Sequence, residues 1–199
     1  MSELIKMVTS QLDAGTISKL GEQLGLDSNQ VATAVSARLP LMLKALAKNT
    51  EGGGADALAG ALDKDHDGSI LDNIGDYVGG SGVDLSQGAA ILGHVLGSKQ
   101  NVVSAGIGKA AGLDAGSAGQ VMSAMAPLLM GALGKQHASG GLDASALTSL
   151  LGAEQKAAED TDPDAMGMLG QLLDTDDDGD VSDDLMNIGG RLLGSFLSR

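Results

Sequence analysis

The sequence predicts an all-α fold of two tandem helical repeats, each carrying an Asp-rich loop between helices. Three observations predict it. Apolar residues recur at helical spacing along the chain, and no alternating strand pattern interrupts them. A shift of 87 residues places Gly21 on Gly108, Gly25-Leu26-Asp27 on Gly112-Leu113-Asp114, Pro40 on Pro127, Leu41 on Leu128 and Leu46 on Leu133. In the same register Leu4, Ile5, Val8 and Leu20 fall on Ile91, Leu92, Val95 and Ile107. Finally, Asp63-Lys-Asp-His-Asp-Gly-Ser-Ile-Leu-Asp72 has a near twin in Asp174-Thr-Asp-Asp-Asp-Gly-Asp-Val-Ser-Asp183. These loops repeat at a shift of 111, so the second copy carries 24 more residues before its loop, between about 134 and 170. The two halves are residues 1–82 and 83–199.

In chain order, Ile5, Val8 and Leu12 mark a first helix from Ser2. Thr16 is expected to cap a second, with Ile17, Leu20 and Leu24 inward and Gly25 as its stop. Asp27-Ser-Asn-Gln30 is a capping box, in which Asp accepts from an orphan amide and Gln reaches back. It opens a helix carrying Val31, Val35, Leu39, Leu43 and Leu46. Pro40 should kink or split that helix, because proline removes a hydrogen bond and crowds the preceding turn. Glu51-Gly-Gly-Gly54 reads as a flexible break, residues 55–62 as a helix entering the first loop, and 72–78 as one leaving it.

The second half opens on another box, Asp84-Leu-Ser-Gln87, and runs through Ile91, Leu92, Val95 and Leu96. A short helix follows from Val102 to Ala111, with Gly112 as its stop, and then the Pro127 helix over 115–133. Ser139-Gly-Gly141 is a break and Ser145–Ala158 a helix. Asp162-Pro163 starts a further helix, whose Met166, Leu169, Leu172 and Leu173 lead into the second loop. Leu185, Ile188, Leu192, Leu193 and Phe196 form a last amphipathic helix.

Composition narrows the function. Acidic residues outnumber basic ones 26 to 12, a formal net charge of −14, which argues against nucleic acid or an anionic membrane surface as partner. Twelve of those 26 acids lie in the two loops and their flanks, where two divalent cations would offset the charge at its densest. With no cysteine, neither disulfides nor thiolate metal sites exist. The N-terminus carries no signal-peptide pattern and no apolar run is long enough to span a membrane, so a cytoplasmic location is expected. Tyr77 and Phe196 are the only aromatic residues, so the core must be built from Leu, Ile, Val, Met and Ala. The 31 glycines imply close helix approach and modest stability that a bound metal would increase.

Both loops read D-x-D-x-D-G-x-[IV]-x-D and resemble the calcium-binding loop of EF-hands over its first eight positions. Calcium takes six to eight hard oxygen ligands, and alternate carboxylates in a tight turn converge to supply them. Asp63, Asp65 and Asp67 occupy positions 1, 3 and 5, Gly68 the sharp turn at position 6, and Ser69 position 7, which contributes a backbone carbonyl. Ile70 at position 8 should anchor the loop in the core. The second loop matches with Asp174, Asp176, Asp178, Gly179, Asp180 and Val181.

Position 12, where an EF-hand has a bidentate Glu, is Ile74 or Leu185. Each loop has an aspartate at position 10 instead, Asp72 and Asp183, a placement similar to the excalibur pattern. These are expected to complete the shell, with Asn73 and Asp184 as runner-up ligands. The shorter side chain implies moderate or weak Ca2+ affinity at two sites, with Mg2+ as a competitor. The competing reading is a pair of solvated acidic turns.

Elsewhere the signals are weaker. His66, at a non-ligand loop position, reads as solvated, His94 as a helix-surface or satisfied residue rather than a base, and His137 as exposed beside a glycine break. Met122, Met125 and Met130 read as core, with an adaptable methionine-lined groove as the alternative. No nucleophile triad, phosphate loop or dinucleotide fingerprint occurs.

Ile91-Leu-Gly-His-Val-Leu-Gly97, Gly112-Leu113 and Met125-Ala-Pro-Leu-Leu-Met-Gly-Ala-Leu133 together resemble the YidB-like family of small bacterial proteins of unknown function. That resemblance implies a bacterial, soluble, all-helical protein and supplies no reaction, substrate or catalytic residue. The expected function is a non-enzymatic calcium-binding protein whose ions staple or switch helix packing. The alternative is a self-associating structural protein, a homo-oligomer or a binder of a protein partner through apolar helix faces. Its C-terminal Leu185–Arg199 stretch, with glycines that let helices approach closely, motivates that alternative.

Overall fold

The computed structural model describes residues 3–80, 83–96 and 100–161. Within them the chain is all-α. In order the helices are α1 (Glu3–Gln11), α2 (Ala14–Leu24), α3 (Ser28–Asn49), α4 (Ala55–Asp65), α5 (Ser69–Asp72), α6 (Ile74–Gly79), α7 (Leu85–Leu96), α8 (Gln100–Ala111), α9 (Ala115–Gly140) and α10 (Ala144–Thr161).

The element that organises the packing is α9. Every residue from Val121 to Gly134 is buried, so this helix is covered on all sides. Helices α7 and α8 lie along it, α1, α3, α4 and α5 complete its surround, and α10 packs across α3 and α4. One continuous apolar cluster runs from Leu4 to Ala158 and takes residues from both sequence halves. It is built from Leu, Ile, Val, Met and Ala, as composition required. Met122, Met125 and Met130 are buried in it, so they fill core space rather than line an open groove.

Local signals act as expected at most helix ends. The Asp27–Gln30 capping box forms in full. Asp84 accepts from Ser86 and Gln87, and Asp143, which the sequence reading did not single out, caps α10 by accepting from Ala146. Gly25 and Gly112 end α2 and α8 in the left-handed region, at φ 68° and 65°. The turns that follow share one geometry: Leu26 N donates to Gly21 O, and Leu113 N to Gly108 O, each at 2.8 Å. A methyl group at Gly21 or Gly108 would sit 2.8 or 2.6 Å from the carbonyl of Leu26 or Leu113, which explains glycine at both positions. The two turns also meet, because Gln30 Nε2 donates to Gly112 O.

Two expectations need correction. The cap of α2 is Asp13, whose Oδ1 accepts from Thr16 N at 2.7 Å, so Thr16 is the capped residue. Of the kink or split expected at Pro40, the split does not occur: α3 continues across Pro40, as α9 does across Pro127. The Glu51–Gly54 break is present where the glycines place it: the helical path kinks at Gly53 (φ 94°), and Gly54 (φ −81°, ψ 0°) also leaves helical geometry before α4 begins at Ala55. The helix starting at Asp162-Pro163, the second loop and the last amphipathic helix lie outside the described residues.

Hydrogen bonds from Thr16 hold the Asp13 carboxyl below its ordinary range, and those from Ser117 do the same for the Asp114 cap of α9. A depressed carboxyl stabilises the fold above the unfolded-state value near 3.8 and loses that contribution as pH falls through the lower folded value. Asp114→Asn keeps a capping oxygen without the titration. Urea denaturation should therefore show the variant losing less stability than the wild type between about pH 5 and about pH 3.

Candidate functional site: the Asp63–Asp72 loop on helix α9

The first acidic loop begins within a helix. α4 runs through Asp65, so positions 1 and 3 of the motif belong to its last turn, and the chain then turns at His66 to Gly68 into α5. Gly68 has φ 93°, a left-handed conformation that disfavours any side chain. It is also buried against α9, and a methyl group there would lie 2.8 Å from Lys135 Cβ and 3.1 Å from Gly131 O. Gly68→Ala should therefore destabilise the protein by about 2 kcal/mol, combining backbone strain with overpacking, as measured by chemical denaturation.

The seat for this turn is a small-residue face of α9. A methyl group at Gly134 would overlap the carbonyl oxygen of His66, and one at Gly131 would overlap Cγ2 of Ile70. These residues and Lys135 share a helix face through their three- and four-residue spacings. Ile70 is half-buried and packs on the core, as its position in the motif predicted. His66 is half-buried as well, which corrects the solvated reading.

The carboxylates have specific partners. Asp67 Oδ1 accepts from Ser69 N at 2.9 Å, and hydrogen bonding from Ser69 holds its carboxyl below the ordinary range. Asp63 Oδ1 meets His137 Nε2 at 2.9 Å, and Asp72 Oδ1 meets Lys135 Nζ at 2.8 Å. The Ser69 carbonyl accepts from Asn73 Nδ2 at 3.2 Å, so the expected position-7 ligand and a runner-up ligand bond each other. The Asp65 side chain lies outside the described residues, as do Asp174, Asp176, Asp178, Asp180 and Asp183. Among the described residues, no three His, Cys, Asp or Glu side chains are gathered as a metal would need.

His137 is the participant that sequence reasoning misplaced. Its side chain is only 14 % exposed, and its Nδ1 is buried without a hydrogen-bond partner. The glycine break that suggested exposure ends the helix beyond it, at Gly141 (φ 56°), and leaves His137 facing the loop. The only sequence signal for this role is its place on the α9 face that carries Gly134. His94, by contrast, is exposed, and its carbonyl accepts from Asn49.

A family model described as a bacterial protein of unknown function, DUF937, matches residues 6–136. The chain belongs to this family. The DUF937 match runs from α1 into the last turns of α9, so it includes the loop, Gly68, its glycine seat and Lys135, and stops just short of His137. The second acidic loop lies beyond it. Comparison with curated proteins and with solved structures returns no match. No helix among the described residues is long and apolar enough to cross a membrane.

Proposed function

We propose that this DUF937 member is a YidB-like, non-enzymatic, cytoplasmic calcium-binding protein built from two tandem repeats. Each repeat would carry one Ca2+ loop, with Mg2+ as a competitor. The observation that carries the reading is Gly68, which takes the left-handed turn that position 6 of the motif demands, in a loop seated on α9 and repeated in sequence at Asp174–Asp183. The donor chemistry suits a hard cation, since Asp63, Asp65, Asp67 and Asp72 with the Ser69 carbonyl supply oxygen alone. Asp174, Asp176, Asp178, Asp180 and Asp183 would serve the second ion. The geometry described above is not that of a finished shell. Asp63, Asp72 and the Ser69 carbonyl each engage a protein partner through one oxygen, His137, Lys135 and Asn73 in turn, and an ion would compete with those contacts.

Those same contacts favour a second reading, in which the loop is an acidic turn pinned to α9 and the protein is a structural or interaction module. Calorimetric titration of the full chain with Ca2+ separates the two. The calcium reading expects saturable binding that Asp63→Ala combined with Asp174→Ala abolishes. Absence of binding at millimolar Ca2+, or binding that survives both substitutions, would sink it.

A further inference from the structure

Lys135 and His137 are the two side chains of α9 that engage the loop's carboxylates, and they take its first and last, Asp63 and Asp72. These are the residues at positions 1 and 10, which any ion in the loop must draw inward together. The arrangement is set by backbone rather than by chance contact between long side chains. Gly68 packs beside Lys135 Cα and Cβ, and the His66 carbonyl rests on Gly134, which fixes the loop next to the two side chains that hold it. Asp63 and Asp72 are 69 % and 66 % exposed, so water and ions reach them freely while they are held.

We infer that Lys135 and His137 are built-in competitors of the divalent cation, pinning Asp63 and Asp72 to α9 in the metal-free loop and weakening its Ca2+ affinity. This inference rests on the calcium reading of the same loop. Ion binding then has a structural consequence: drawing both aspartates inward weakens both links to α9, while the loop keeps its glycine seat.

The test is Ca2+ calorimetry on the full chain with the second loop silenced by Asp174→Ala and Asp176→Ala. Adding Lys135→Met should tighten Kd about three- to fivefold, the range that loss of an exposed ion pair can supply. Lys135→Arg should restore the weaker value, and His137→Gln should tighten binding through the other carboxylate. Lys64→Met controls for charge alone, because it removes the exposed cation at loop position 2 and should tighten Kd less. An unchanged or weakened Kd in Lys135→Met, or a change equal to that of Lys64→Met, overturns the inference and leaves the calcium reading standing. If the silenced background binds no Ca2+, the calcium reading fails for this loop and the inference falls with it.

Discussion

Gly88→Ala should destabilise the protein by about 3 kcal/mol, at the upper end of what overpacking costs. A methyl group at Gly88 would overlap the carbonyl oxygen of Ser123 on α9. The clash is with backbone, so no rotamer change relieves it, and α7 must back away from the buried centre of the fold. Pro127 gives the contact its reason. Proline has no N–H, so the carbonyl four residues earlier, that of Ser123, loses its helical donor, and α7 closes over that point of α9. One residue on, the carbonyl of Ala124 accepts from the Tyr77 hydroxyl at 3.0 Å, in a setting whose burial pushes the phenol pKa up. Gly93→Ala is the matched control. It lies on the same helix with open space around it, and there alanine should stabilise by up to about 1 kcal/mol through helix propensity. Thermal melts should give shifts of opposite sign, with Gly88→Ala falling by about 6–12 °C. Equal, small shifts would show that α7 does not approach α9 this closely.

Glu154→Ala should cost about 2–3 kcal/mol, because two helices depend on that carboxylate. Its side chain, on α10 and only 7 % exposed as a residue, accepts from Leu4 N at 2.9 Å and from Glu3 N at 3.2 Å. These are orphan donors at the start of α1, and the Leu4 side chain is fully buried. Alanine leaves the Leu4 amide without an acceptor in a place water reaches poorly. Glu154→Gln keeps one acceptor oxygen and should lose about half as much. Hydrogen exchange localises the effect: the α1 amides should lose protection before those of α9. Uniform loss across the chain would mean that the carboxylate does not act through α1.

Both residues show which parts of the fold the sequence could carry. Gly25, Gly112 and the Asp27–Gln30 box were legible because the groups they satisfy lie within a few residues. The core composition was legible because Tyr77 and Phe196 left no other choice. Asp13 was missed because Thr16 has the same capping chemistry, and the two differ only in where α2 starts. The partners of Glu154, up to 151 residues away, and of Asp63, 74 residues away, are products of tertiary packing that no local pattern encodes. His137 was placed in solvent because a glycine break follows it, although α9 continues past it to Gly140. Gly68 was readable from the motif alone, while the glycine seat beneath it needed the packing of α9.

The reading of the loops as Ca2+ sites is tested most directly by two-dimensional amide NMR of the full chain during a Ca2+ titration. Saturable shifts are expected at Gly68 and through Asp63–Asp72, with a second saturable set at Gly179 and its neighbours, each lost when the first aspartate of its own loop becomes alanine. Amide peaks of both loops that stay in place up to millimolar Ca2+, or that drift without saturation together with acidic residues all over the surface, would contradict it.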